Sequence, residues 1–342
     1  MKLYYYDRHA NFGDSMNRWL WPRLLPGCWD SEDGIYFSGI GTIIGPDMPP
    51  ARKWIIFTSG VGYGGVPPGF GDEGWSIVSV RGPLSAAALG LGRETAITDG
   101  AILLSTLPDY APLPEDQRKG TIFIPHHQSD GDADWLEVCN RAGVEYLSAK
   151  RDSEAVIGRI RSARLVLAEA MHGAIVADTM RVPWVPIVGS PQVNTFKWLD
   201  WTRSMALSYA PIALPPANVV SAIRHRMLWA YREAYQFAPG DEATALAFFQ
   251  QRYRATPHRV RIKLRHLARG SHARLDDLLR TPWAAGQLRN RDERQIDRAA
   301  MTLAAAARQS GLLSEDRIYA ERLDQLADRL GAVRRLAGAS SP

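Results

Sequence analysis

Short apolar runs alternate with amphipathic ones along residues 1–107, which is the pattern of strands and helices taking turns. Strands are predicted at Lys2–Tyr6, Ile40–Ile44, Trp54–Thr58, Trp75–Val80 and Ala96–Ile97, and helices at Met16–Leu25 and Leu84–Leu89. Leu107–Gly120 is rich in proline and charge and reads as a linker. A second alternating unit follows it. Its predicted strands are Thr121–Pro125, Glu145–Leu147, Leu165–Ala168 and Trp184–Val188, and its helices Ala133–Ala142, Ser153–Ser162 and Gly173–Met180. From Pro215 the pattern turns helical, over Val219–Phe237, Glu242–Tyr253, Ile296–Ser310 and Ser314–Leu336. In the last of these Ile318, Leu323, Leu326, Leu330 and Val333 recur at near-heptad spacing, which predicts a self-packed helical hairpin or a face for a second copy of the chain. The fold class is α/β, with two Rossmann-like halves at 1–107 and 121–214, a linker at 108–120 and a helical, basic C-terminal extension at 215–342.

Three strand-to-helix junctions hold the residues of chemical interest. Ligands of α/β sheets sit beyond the carboxyl ends of strands, where helix N-termini offer free N–H groups and partial positive charge. The first junction is Asn11–Ser15, where Gly13 permits close backbone approach and Asp14 or Ser15 is placed to cap a helix. At the second, Ser79–Pro83, proline suits the first helical turn, while Arg81 is a cation at a helix start with no evident partner. A ligand phosphate or carboxylate would compensate it. The third is Ala168–Gly173, with His172 where strand becomes helix; an ordinary βαβ unit carrying a surface histidine accounts for it equally well. The glycine-rich stretch Gly60–Gly74 is a long loop, a lid or a connector, and lacks the strand-to-helix context of a dinucleotide site.

Composition narrows the class. Apolar content of 46% and charged content of 23% over 342 residues suit a globular protein with a substantial core. A net charge of +5 favours acidic partners. Nucleic acid is not expected, because the basic residues follow none of its binding motifs. The two cysteines, Cys28 and Cys139, lie far apart, fit neither a disulfide framework nor a metal spacing, and suggest a reducing, cytoplasmic compartment. No signal peptide is expected, since Lys2 leads straight into a strand, and no apolar run approaches the ~20 residues that span a bilayer. Ala243–Leu275 contains Arg252, Arg254, Arg259, Arg261, Lys263, Arg265, Arg269 and Arg274 but no acid, which predicts docking on an anionic membrane surface. Trp19, Trp21, Trp198 and Trp201 are read mainly as core, with sugar stacking as the alternative.

Five segments, NFGDSMN at Asn11–Asn17, SVRGPLSA at Ser79–Ala86, TDGAILL at Thr98–Leu104, PHH at Pro125–His127 and AEAMHGAIVADTMRVPW at Ala168–Trp184, resemble the polysaccharide pyruvyltransferase family in kind and in order. The resemblance covers roughly the first 200 residues and is nearest to the ketal-pyruvate transferases of bacterial exopolysaccharide synthesis, of the succinoglycan and xanthan type. It implies a GT-B-like arrangement of the two halves, with phosphoenolpyruvate as donor substrate and no cofactor or metal. It also implies a lipid-linked oligosaccharide acceptor at the inner face of a bacterial plasma membrane. One departure stands out. Many members carry arginine two residues before the final histidine, where this chain has Ala170, preceded by Glu169.

The implied reaction needs an acid–base group near neutral pKa and cations for phosphate and carboxylate. His172 and Asp14 are assigned to catalysis. Arg81, Gly13, His127 and Gly173 are assigned to the donor, and His126, Asp99 and Glu169 to the acceptor. Two rival classes are a sugar-nucleotide glycosyltransferase, for which no nucleoside signature is found, and an inactive scaffold of a polysaccharide assembly complex.

Overall fold

The computed structural model describes residues 1–29, 34–238, 240–254, 270 and 281–338. Its first sheet runs β1 (Lys2–Tyr4), β2 (Ile35–Ser38), β3 (Lys53–Phe57) and β4 (Trp75–Ser79), all parallel and in that spatial order. The registers set Tyr36 beside Trp54 and Trp54 beside Trp75, so rings pack from strand to strand. The expected strand Ala96–Ile97 is reduced to one bridge, Val80 to Ala96.

The expected strand Ile40–Ile44 is displaced to Ile35–Ser38. Gly39 and Gly41 are the reason. Gly39 lies against the indole of Trp21, where a Cβ would be 2.1 Å from Nε1, and Gly41 has φ 131°, so the backbone leaves the sheet at this point. The predicted helix Met16–Leu25 is also redrawn, as α1 (Phe12–Ser15) and α2 (Asn17–Leu24).

The second sheet contains β5 (Thr121–Ile124), β6 (Glu145–Tyr146), β7 (Leu165–Ala168), β8 (Trp184–Val188) and β9 (Ile212–Ala213). Their spatial order is β6-β5-β7-β8-β9, again all parallel. Strands β5 and β7 are buried at every position, as the near-continuous apolar sequences TIFI and LVLA require of central strands covered on both faces. The chain steps out from β5 to β6, then returns past β5 to β7. In such doubly wound sheets the ligand crevice opens beyond the carboxyl ends of the strands that flank this reversal.

Helices α3 (Pro83–Leu89), α4 (Trp135–Ala142), α5 (Ser153–Arg161), α6 (Met171–Thr179) and α7 (Thr195–Ser204) connect and cover the strands. Every residue of α6 is buried, the polar His172, Asp178 and Thr179 included, so this helix is enclosed on all sides. It packs on β7, β8, α1, α5 and the 3₁₀ segment Gly100–Thr106, and so touches both halves. The stretch read as a linker makes two short 3₁₀ turns and docks through Tyr110, which stacks on Trp19 and donates a hydrogen bond to Glu154 at 2.8 Å.

The C-terminal helices correct an expectation. Pro282–Ala306 lies along α4 and buries Ala299, Ala300, Leu303 and Ala306 there. Asp316–Leu336 returns instead to the first sheet, buries Leu326 and Val333, and ties down Arg329 on the carbonyls of Val78 and Glu94. They form no hairpin with each other, and the near-heptad stripe is spent inside the chain rather than offered to a second copy. The alanine face of the first helix lets it nest closely on α4, while the longer leucines of the second fill the space over β3 and β4. Of the basic stretch Ala243–Leu275, residues 255–269 and 271–275 lie outside the described residues. Arg252 is engaged with the carbonyls of Ala234 and Arg232 and lies over the Tyr235 ring. No helix among the described residues is long and apolar enough to cross a membrane.

Candidate active site

The carboxyl ends of both sheets open into one cleft of about 990 Å³. From the first half come the segments after β1, β2 and β3, and from the second the segments after β5 and β7 together with part of α7.

Asn11, not Asp14 or Ser15, caps α1. Its side-chain oxygen accepts from the Gly13 amide at 3.3 Å, and its Nδ2 donates to Asp14 Oδ2 at 2.6 Å. Asp14 is thereby held in the first turn with its carboxyl on the cleft wall. Asn17 locks this turn to the second strand's exit, donating to the Asp14 and Ile40 carbonyls and accepting from the Ile40 amide. Burial pushes the Asp14 carboxyl above the usual carboxylate range, while the nearby charges of His172 and Lys197 and the Asn11 hydrogen bond pull it back.

His126 and His127 follow β5, and Ala170–His172 follow β7, so these residues flank the reversal of strand order. Both imidazoles after β5 line the cleft, with ring centroids 4.3 Å apart. Burial pushes His126 well below the usual histidine range, and it pushes His127 down to about 4, in each case with help from the Lys197 charge. They therefore meet a substrate as neutral hydrogen-bonding groups. His172 lies in the first turn of α6, 8% exposed, with Nε2 turned inward. Ala170, at the position of the family arginine, lines the cleft and supplies no charge.

Lys197 is the residue that sequence reasoning missed. The helix α7, which carries it, is absent from the sequence-based elements, because its aromatic residues Trp198 and Trp201 mask the amphipathic period. A cap signal was present in Asn194, whose side chain accepts from the Phe196 amide at 3.1 Å. Lys197 is half-buried in the cleft wall, and its Nζ donates to the Tyr63 hydroxyl at 3.2 Å. Burial, with repulsion from Arg81, lowers its pKa to about 8 against the pull of Asp14 and Asp99.

Five of the residues assigned from sequence stand elsewhere than the cleft wall. Arg81 is not a cation without a partner. It is fully buried, with Nε on Asp200 Oδ2 at 2.9 Å, Nη1 on Thr42 Oγ1 at 2.7 Å and Nη2 on the Val61 carbonyl at 3.2 Å. The anion that this helix start needs comes from within the chain, since Asp200 also accepts from the Ser85 amide at 2.8 Å and the Ser85 hydroxyl at 2.5 Å. Glu169 is likewise buried and saturated. It accepts from the His126 amide and Ser129 hydroxyl with one oxygen and from the Gly189 and Ser190 amides with the other, which ties the ends of β5 and β8 together. Asp99 is buried behind His172, where its Oδ1 caps the Ala101 amide. Gly173 sits inside α6 against Ile124. Gly13 is needed for a close approach, but the approaching group is the His172 ring rather than a ligand: a Cβ on residue 13 would lie 2.1 Å from Nδ1. Trp21, Trp198 and Trp201 are core residues, although Trp198 also reaches the cleft. Among the described residues no cluster of His, Cys, Asp or Glu is arranged to hold a metal ion.

Gly13→Ala should therefore leave the fold intact but displace the imidazole. Misplacing a reacting group by an ångström costs about 10²-fold, so turnover should fall by that order at an unchanged thermal midpoint. Wild-type turnover in this variant would show that the ring has room to spare.

A family model described as polysaccharide pyruvyl transferase matches residues 72–191, a span that includes His126, His127 and His172 and ends before Lys197. Among curated proteins the chain is similar to the succinoglycan biosynthesis protein ExoV of Rhizobium meliloti (strain 1021). The two are 36% identical over 225 residues, 65% of this chain and 71% of that protein. No solved structure matches the chain.

Proposed function

The chain belongs to the polysaccharide pyruvyl transferase family, and from that premise we propose that it moves the pyruvate unit of phosphoenolpyruvate onto two hydroxyls of one exopolysaccharide sugar as a ketal. One observation carries the assignment: Asp14 from one half and His172 from the other line a single cleft, with Lys197 beside them. Two parallel sheets with their carboxyl ends turned to that cleft support a GT-B-like reading of the architecture. His172 gives a proton to the methylene carbon of the donor. A sugar hydroxyl adds to C2 and passes its proton to Asp14, whose burial raises its pKa and so makes its carboxylate a stronger base. The C2–O bond to phosphate breaks, a second hydroxyl of the same sugar closes the ring, and its proton is released. Phosphoenolpyruvate and a diol are consumed, and a ketal and inorganic phosphate are formed. Lys197 holds the donor's phosphate or carboxylate, the task that the buried Arg81 cannot perform. His126 and His127, both neutral, orient hydroxyls.

The test is incubation with phosphoenolpyruvate and saccharide acceptors. The expected result is phosphate release coupled to a glycan mass gain of one pyruvate less one water. Turnover of a nucleotide-sugar in place of phosphoenolpyruvate would overturn the proposal in favour of glycosyl transfer.

The Lys197 role has a defined sign with pH. Its charged form exists below about 8 and is lost above it, so KM for phosphoenolpyruvate should rise as pH increases through that value. A hydrogen bond to a charged group is worth about 1.5–3 kcal/mol. Lys197→Met should thus raise KM by about 10- to 100-fold and flatten its pH dependence. An unchanged KM would remove Lys197 from the donor site.

A further inference from the structure

We propose that Asp99 is the positioning residue for His172: its buried carboxylate fixes the imidazole with a proton on Nε2, so that Nδ1 is the nitrogen that exchanges a proton with substrate. This inference rests on the functional reading above.

Two unpartnered atoms face each other in the interior. Asp99 Oδ2 and His172 Nε2 are both buried, neither has a hydrogen-bond partner, and they are 3.8 Å apart. That separation is too long for a hydrogen bond. Yet leaving either atom unsatisfied costs about 1–3 kcal/mol, and each is the natural complement of the other. In the absence of substrate, catalytic hydrogen bonds are often long and tighten in the complex.

The carboxylate cannot turn away. Its Oδ1 is held by the Ala101 amide at 3.0 Å. The next residue, Gly100, is wedged so closely that a Cβ would lie 2.4 Å from Thr58 Oγ1 and 2.8 Å from the Trp21 ring. Thr58 itself has φ 74°, a strained value for a β-branched residue, and the surrounding packing holds it there. On the far side the Ser204 hydroxyl donates to Thr98 Oγ1 at 2.9 Å. The segment that bears Asp99 is a rigid shelf against which α6 packs.

The other charged groups around His172 have different work. Asp14, from α1, stands on the cleft wall, and Lys197, from α7, lies there with it. Glu169, at the end of β7, has both oxygens occupied by four donors. Arg81 is bound to Asp200. His126 and His127 are neutral at physiological pH. Asp99 alone among these meets the inward nitrogen of the imidazole. With Nε2–H directed at Asp99, the acid form carries its second proton on Nδ1, on the side of the ring that covers Gly13. The proton passes from Nδ1 to the donor's methylene carbon, and a neutral imidazole with Nε2–H remains.

The experiment uses the full chain labelled with ¹⁵N-histidine, with His172 assigned by its loss in His172→Gln. The wild type should show neutral His172 protonated at Nε2. Asp99→Asn keeps the cap to Ala101 but turns an amide NH2 toward the ring, so it should switch the neutral form to Nδ1–H. Its kcat should fall by about 10²-fold or more, with KM for phosphoenolpyruvate within twofold of wild type. A wild-type spectrum with His172 protonated at Nδ1 overturns the proposal even if the variant fails to fold. An unchanged tautomer and rate in a folded Asp99→Asn also overturn it. Absence of turnover with phosphoenolpyruvate in the wild type would count against the donor assignment alone, and the spectrum would still decide the role of Asp99.

Discussion

His172→Gln lowers turnover by about 10²–10⁴-fold, the usual contribution of a positioned acid–base group. Glutamine is the informative replacement. It approximates the size and hydrogen-bonding capacity of histidine but cannot hold and release a proton at neutral pH. The ring occupies a tight site, packed over Gly13 on one side and facing Asp99 on the other, and a truncation to alanine would open a hole beside α6 as well as removing the acid. The loss should fall on kcat, with KM for phosphoenolpyruvate little changed, because proton transfer is an interaction of the transition state and not of the bound donor. Rapid-quench measurement of phosphate release in a single turnover separates this from a slow product step. A near-wild-type single-turnover rate at an unchanged thermal midpoint would remove His172 from the acid role.

The strands of the second half were legible because their sequences are unambiguous. Leu165–Ala168 and Trp184–Val188 are short apolar runs between turn signals, and the structure places them as read. The helix that begins at Met171 was legible from the same strand-turn-helix pattern, two residues out of register. What a single chain does not display is the order of strands in space. Nothing local to PHH or to AEAMHG shows that β5 and β7 flank the reversal, yet that reversal brings His127 and His172 to one cleft. The assigned residues that stand away from the cleft wall have a shared explanation. Arg81, Glu169 and Asp99 were read as ligand groups because they are polar residues at strand ends. Arg81 and Glu169 have partners distant in sequence instead, Asp200 and the Ser190 amide, and Asp99 caps the nearby Ala101 amide with its second oxygen facing His172. A charge at a strand end invites an anion or a cation, and the folded chain can supply that ion as readily as a substrate can. Lys197 was overlooked for the opposite reason. Its neighbours Phe196 and Trp198 advertise a core helix, and the one cation between them gains its meaning from Tyr63 and the cleft.

Asp200→Ala should destabilise the protein more than any change at the cleft surface, and the reason is the same buried arginine. Arg81 and Asp200 are both 0% exposed and meet at 2.9 Å. Removing one member of a buried pair strands the other charge in a medium that cannot solvate it, which costs about 3–5 kcal/mol. Asp200 also caps the start of α3 through the Ser85 amide and hydroxyl, and its backbone passes so close to Gly82 that a Cβ there would lie 2.1 Å from the Asp200 carbonyl oxygen. The pair therefore joins α3 of the first half to α7 of the second, and α7 is the helix that places Lys197. Against a total stability of about 5–15 kcal/mol, the expected loss is a large fraction. The measurement is the urea midpoint of wild type, Asp200→Ala and the double variant Arg81→Met with Asp200→Leu. The double variant should recover much of the loss, because it removes the stranded charge and refills the space with apolar atoms. In every variant that folds, KM for phosphoenolpyruvate should stay near wild type, since Arg81 stands behind the cleft wall. A raised KM with an unchanged urea midpoint would be the opposite outcome, and it would return Arg81 to the donor site.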